Sequence, residues 1–142
     1  LFITYRSFLH SIYGILPIGL TLITLFTAMG VFQIPLNIIT LTMASITIGV
    51  GIDYAIHFTS LFLKHRKDND PEEAVEKAFK DTSRPIMANA LGLAIGLTAL
   101  QFSPLRTHSY LSILMWVSMV SASIFTLSLL PTIYRRKSTK RR

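Results

Sequence analysis

Apolar residues fill four long stretches of the chain, at about 11–32, 38–63, 85–102 and 109–133. Each is close to or above the roughly 20 residues with which a helix crosses a hydrocarbon layer. Two short breaks, at 33–37 and 103–108, read as tight turns, and Asn37 offers a side-chain acceptor to cap the helix that follows. Pro17 lies inside the first stretch and is expected to kink it, neighbouring helices taking up the freed carbonyl. Residues 1–8 read as the tail of a preceding apolar helix that ends at Tyr5-Arg6-Ser7. The one clearly polar segment is 64–84. Within it Asp70-Pro71-Glu72-Glu73 has the features of a helix start: an acceptor at the cap, proline in the first turn and acids at the positive dipole end. Glu73–Lys77 and Glu76–Lys80 have ion-pair spacing, and Ala74, Val75, Ala78 and Phe79 make a narrow apolar stripe. The pattern predicts an all-α, polytopic membrane helix bundle with four transmembrane helices. It adds one short cytoplasmic amphipathic helix at about 70–80, lying on the membrane surface or against the bundle. A solvated linker helix with no mechanical role fits the same residues.

Asp53 is the only charged residue in the second apolar stretch. Holding an ionisable side chain at membrane depth costs about 2.5–3.5 kcal/mol on the insertion scale, so such a residue marks a functional site by default. Residues four apart share a helix face, which puts Thr42, Ser45, Gly49, Asp53 and His57 on one small, polar stripe. Ile46, Ile48, Val50, Ile52 and Ile56 cover the rest. The stripe is expected to face neighbouring helices or a hydrated seam, with Gly49 and Gly51 permitting close backbone approach. Tyr54, next in sequence, offers a hydroxyl to a second polar cluster. In the third stretch Asn89, Gly92, Gly96 and Ala99 share a face. Gly92 and Gly96 form a small-xxx-small pair, and Asn89 is a candidate hydrogen-bond partner for the groups around Asp53; an ordinary interhelical hydrogen bond is the plainer role for it. Ser118, Ser121, Ala122 and Phe125 give the fourth stretch a small-residue side.

The 142 residues are 51% hydrophobic, contain no cysteine and carry a net charge of +7. Disulfide and thiol chemistry are therefore absent. The charge is not a nucleic-acid signature, because of where it lies. Of the 14 Lys and Arg residues, all but Arg106 fall on one side of the expected topology: Arg6, those between 64 and 84, and those from Arg135 to Arg142. By the positive-inside rule both termini and the polar segment are expected to be cytoplasmic, in a multi-pass protein of the cell membrane, with the turns at 33–37 and 103–108 outside. No secretory signal pattern opens the chain. Leu1 starts within an apolar pattern and the chain is expected to be part of something longer, its basic ending matching the end of a second half.

The succession of features resembles a known family. A proline-containing span leads to Ile34-Pro35-Leu36-Asn37-Ile38-Ile39-Thr40, then to Gly49-Val50-Gly51-Ile52-Asp53-Tyr54-Ala55-Ile56-His57-Phe58. An Asp70-Pro71-Glu72-Glu73-Ala74-Val75 helix start, Ser83-Arg84-Pro85-Ile86, a glycine-bearing span and a last span closing on Leu129-Leu130-Pro131 follow. This is similar to the resistance–nodulation–division (RND) superfamily, in its MMPL and Patched-like branch, over nearly the whole chain. The mid-membrane Gly-x-Gly-x-Asp-Tyr-x-x-His segment is the specific part. The resemblance implies that residues 1–134 are a partial transmembrane domain, helices three to six of one half, followed by a basic cytoplasmic tail at 135–142. It implies export of lipids or other hydrophobic compounds driven by the proton gradient, with Asp53 and Tyr54 as proton relay. His57, Asn89, Gly49, Gly51, Gly92 and Gly96 would tune the relay or pack helices. Partners would be the bilayer, the other half of the transporter and a hydrophobic or lipid substrate. A homo-oligomer is compatible with this, and nucleic acid is not expected. The first helix and the extracytoplasmic domain of the family pattern are missing here, and substrate choice is expected to reside there.

The same helices also fit a sterol-sensing-like lipid-binding module that regulates or scaffolds a partner. An intramembrane aspartyl protease fits poorly: Gly49-x-Gly51-x-Asp53 has one residue too many for a Gly-x-Gly-Asp motif, and the apolar stretches hold no second acid. No enzyme activity and no cofactor are expected. No metal is expected either, because His10, His57, His65 and His108 are scattered over different depths. Trp116 lies mid-span and reads as a packing residue. The plainest role for Asp53 is a hydrogen bond that fixes helix packing, a task that asparagine would perform at lower cost.

Overall fold

A computed structural model describes the backbone of residues 8–139 and the side chains of residues 12–136. Among these residues the fold is all α: α1 (Phe8–Val31), α2 (Ile38–His65), α3 (Pro71–Leu97), a 3-10 turn (Thr98–Phe102) and α4 (Arg106–Thr139). All four helices are long and apolar enough to cross a membrane. The apolar residues expected at 1–7 lie outside the described residues. α2 and α4 pack together as the central pair, and α1 and α3 each pack against both of them from opposite sides.

The α1–α2 turn is built by two local motifs. The Ile34 N–H donates to the Met29 carbonyl (2.8 Å) and the Gln33 N–H to the Gly30 carbonyl (3.3 Å), the paired bonds of a Schellman stop. Gln33 takes the left-handed position that usually belongs to glycine, at φ 52°. Ile34 is buried with Met29 in the same apolar cluster, which supplies the contact that accompanies this motif. Asn37 then caps α2: its Oδ1 accepts from the Thr40 N–H (2.9 Å), while Thr40 Oγ1 accepts from the Asn37 N–H (2.8 Å). Pro17 is buried inside α1 and does not end it, and the Thr21 hydroxyl donates back to the Pro17 carbonyl.

The third span departs from expectation. In place of a short amphipathic helix at 70–80 followed by a separate span from Pro85, one helix runs unbroken from Pro71 to Leu97 with Pro85 inside it. The reason is packing. Ala74, Ala78, Thr82, Ile86, Ala90 and Ala94 recur every four residues and are all buried, so one contact stripe stays in phase through the proline. The small side chains on that stripe let α3 lie close to its neighbours, which matters in lipid, where apolar burial alone does not bring helices together. The charged residues from Glu72 to Arg84 are thus the first turns of α3. The part from Pro85 through the 3-10 turn rises roughly 30 Å, one hydrocarbon thickness. Glu73 and Lys77 pair at 2.8 Å, while Asp70 caps without a side-chain hydrogen bond.

Two apolar clusters fill the bundle. One gathers Leu25, Met29, Met43, Tyr54, Ile86, Leu114 and Met119 among others; the second gathers Ala55, Phe58, Phe62, Val75, Leu130 and Tyr134. Tyr134 stacks on Phe62 with ring centroids 4.3 Å apart and meets Tyr13 edge to face. Buried hydroxyls are threaded through the interior, with Thr47 bonded to Ser118 and the Tyr134 hydroxyl donating to Thr59. Trp116 is half exposed, and its indole N–H donates to Thr98 at 2.8 Å, tying α4 to the 3-10 turn.

Candidate functional site

Asp53 and Tyr54 lie near the middle of α2 and serve opposite sides of it. One residue step turns the helix by about 100°. Tyr54 therefore falls on the inner face with Gly51 and Phe58, and it is buried. Asp53 falls on the outer face, exposed, with no hydrogen bond or ion pair among the described residues. Thr42, Ser45, Gly49 and His57 are exposed alongside it. The polar stripe read from the sequence is thus continuous, and among the described residues no helix covers it. In a bilayer an uncovered carboxyl at this depth would carry the insertion penalty in full, so the stripe requires a protein or water neighbour.

The glycines divide in the same way. A Cβ on Gly51 would stand 3.0 Å from Ile18 Cγ1, so this glycine admits α1 against α2. Cβ atoms on Gly49, Gly92 or Gly96 would meet nothing within 4 Å. These three open onto the outer surface, and their smallness is not used by contacts among the described residues.

Asn89 reaches the site from α3. Its side-chain amide donates to the Tyr54 hydroxyl at 3.2 Å. Asn89, expected as a hydrogen-bond partner for the groups around Asp53, thus bonds Tyr54 and not the carboxyl itself. Beneath this bond lies an open groove between α2 and α3, with a volume of about 230 Å³, lined by Tyr54, His57, Leu61, Asp81, Ile86 and Asn89 among others. At its other end His65 Nε2 meets Asp81 Oδ2 at 2.8 Å. Sequence reasoning did not single out Asp81 or His65. The signal was present in the spacing: Tyr54, His57, Leu61 and His65 share a face of α2, and Asp81, Pro85 and Asn89 share a face of α3 once that helix is continuous. Among the described residues no group of three or more His, Cys, Asp or Glu side chains comes together.

A four-helix membrane bundle with an acid beside a tyrosine on its central helix defines a multi-pass membrane protein. The sequence matches the model of the MMPL family over residues 1–141. A membrane protein of Methanocaldococcus jannaschii is 31% identical over 134 residues, which are 94% of this chain and 34% of that protein. The chain thus spans about a third of the length of that curated relative. No solved structure matches it. The chain belongs to the MMPL family, a branch of the RND superfamily.

Proposed function

We propose that this chain is part of the transmembrane domain of an exporter of lipids or other hydrophobic compounds, driven by the proton gradient, with Asp53 as the proton carrier and Tyr54 as its partner. The transporter character of the MMPL family supports the class. The observation that carries the residue assignment is the placement of Asp53. It is the one charge in the α2 apolar stretch, and it stands outward on a stripe of small polar residues that the described residues leave uncovered. A carboxyl that alternates between charged and neutral forms there changes which helix arrangement is favoured, a local electrostatic switch acting on a bundle with two packings. The stripe, with Gly49, would be covered by the other half of the transporter. With both termini and the α2–α3 loop in the cytoplasm, as the basic residues favour, protons would move inward as substrate moves out.

The test is proton-driven transport by the Asp53→Asn protein at matched membrane expression. Asparagine keeps the size and much of the hydrogen bonding and removes the titration. The proposal requires loss of transport with insertion and folding intact, and a milder defect for Tyr54→Phe. Persistent transport would leave Asp53 as a packing residue and favour the sterol-sensing-like regulatory reading.

A further inference from the structure

We propose that the groove between α2 and α3 is a water-filled path joining the aqueous phase on the side of the 66–70 loop to the Tyr54 hydroxyl. It would serve as the route by which protons reach or leave Asp53. The proposal rests on the relay reading above and adds to it three residues, His57, Asp81 and Asn89, and a direction.

Three observations support it. First, the groove is polar at both ends and apolar between. The mouth holds the Asp81 carboxylate against His65 at 2.8 Å, beside the polar α2–α3 loop. The deep end holds the Asn89 amide on the Tyr54 hydroxyl at 3.2 Å. Leu61 and Ile86 line the stretch between them. From Asp81 to Asn89 is eight residues, a rise of about 12 Å along α3. Polar groups at that depth on a lipid-facing surface would go unsolvated, whereas a groove open to the loop gives water a way to reach them. Second, Pro85 lines the groove and has no N–H to return to the Asp81 carbonyl one turn before it. Water is the partner available to a helix carbonyl freed by proline in a membrane segment. Third, His57 belongs to both surfaces. It lines the groove, and it stands one turn from Asp53 on the exposed stripe. A proton leaving the Asp53 carboxyl can pass to the His57 ring and on to groove water, with no other species consumed or formed. The titratable groups facing the groove are Tyr54, His57 and Asp81, with His65 on Asp81 at the mouth.

The test is thiol accessibility in the intact protein in membrane vesicles, with any cysteine outside this chain replaced; these 142 residues contain none. A membrane-impermeant thiosulfonate reagent needs a thiolate, which forms only where water reaches. Single cysteines are placed at two exposed groove positions on α3, Asp81 and Asn89, and at Met87 and Leu91 on its outer face, each of the latter 41% exposed. Asn69→Cys in the loop marks the side. The groove cysteines are expected to react at least about tenfold faster than those at 87 and 91, and from the same side as Asn69→Cys. Adding Leu61→Trp should slow labelling at 89 while leaving position 81, at the mouth, unchanged. Equal rates on the two faces of α3 in folded protein overturn the proposal, as does labelling of position 89 only from the opposite side. Neither readout needs transport, so a dry groove with a transport-dead Asp53→Asn protein defeats this inference alone. A wet groove with an active Asp53→Asn protein defeats the relay reading.

Discussion

Gly51 gives the sharpest check on the packing. An alanine there brings its Cβ to 3.0 Å from Ile18 Cγ1 and 3.7 Å from Ile18 Cβ and Cγ2. Carbon atoms rest at about 3.5–4.0 Å, so Ile18 or the whole of α1 must move back by roughly half an ångström. Ile18 is itself buried, and overpacking of this kind costs about 1–3 kcal/mol. Replacing glycine by alanine in a helix interior returns about 1 kcal/mol. The net expectation is a loss of about 1 kcal/mol for Gly51→Ala. Ile18→Ala alone should cost about 2–5 kcal/mol, and in that background the clash is gone, so Gly51→Ala should turn stabilising by up to about 1 kcal/mol. The coupling between the two sites is then about 2 kcal/mol, within the range for residues in contact. Gly49→Ala, two residues away with no described atom within 4 Å of its Cβ, should have the same effect in either background. The assay is unfolding of the purified protein in mixed micelles, followed by helical circular dichroism. An effect of Gly51→Ala with the same sign and size in both backgrounds would refute the α1–α2 contact.

Two further outcomes test the fold. Single cysteines at Ser103 and Asn69 should label from opposite faces of the membrane, with Asn69 cytoplasmic; labelling of both from one side contradicts four spans. Gln33→Gly should stabilise the protein by about 1 kcal/mol in the same unfolding assay, because glycine accepts the left-handed position at φ 52° without strain; a loss of stability would show that the Gln33 side chain has a use that its backbone conformation conceals.

Much of this architecture can be read from the residues because a membrane leaves the chain few choices. Apolar stretches of span length had to be helices, and Asn37 three residues before Thr40 marked the start of α2 through a reciprocal cap. Pro85 misled because proline is a local signal and the decisive term was tertiary. The four-residue recurrence from Ala74 to Ala94 outweighs one missing hydrogen bond, and that recurrence is visible in the sequence when the proline is not given priority. The site was legible in part. Helical spacing grouped Thr42, Ser45, Gly49, Asp53 and His57 correctly, but spacing cannot say which neighbour a face will meet. The structure turns that face outward, and on α3 it buries Ile86, Ala90 and Ala94 in place of the Gly92–Gly96 side. The groove depended on bringing Asp81 and Asn89 onto one continuous helix, so it was hidden by the same proline.

The claim on which the functional reading depends is that Asp53 takes up and releases a proton within the membrane. Infrared difference spectra of the intact protein, recorded across a pH step in lipid, report the carbonyl stretch of a protonated carboxyl directly and need no knowledge of the substrate. A proton-carrying Asp53 predicts a protonated-carboxyl band that disappears in Asp53→Asn and shifts in Tyr54→Phe. Spectra of the Asp53→Asn protein that superimpose on those of the unmodified protein would contradict it.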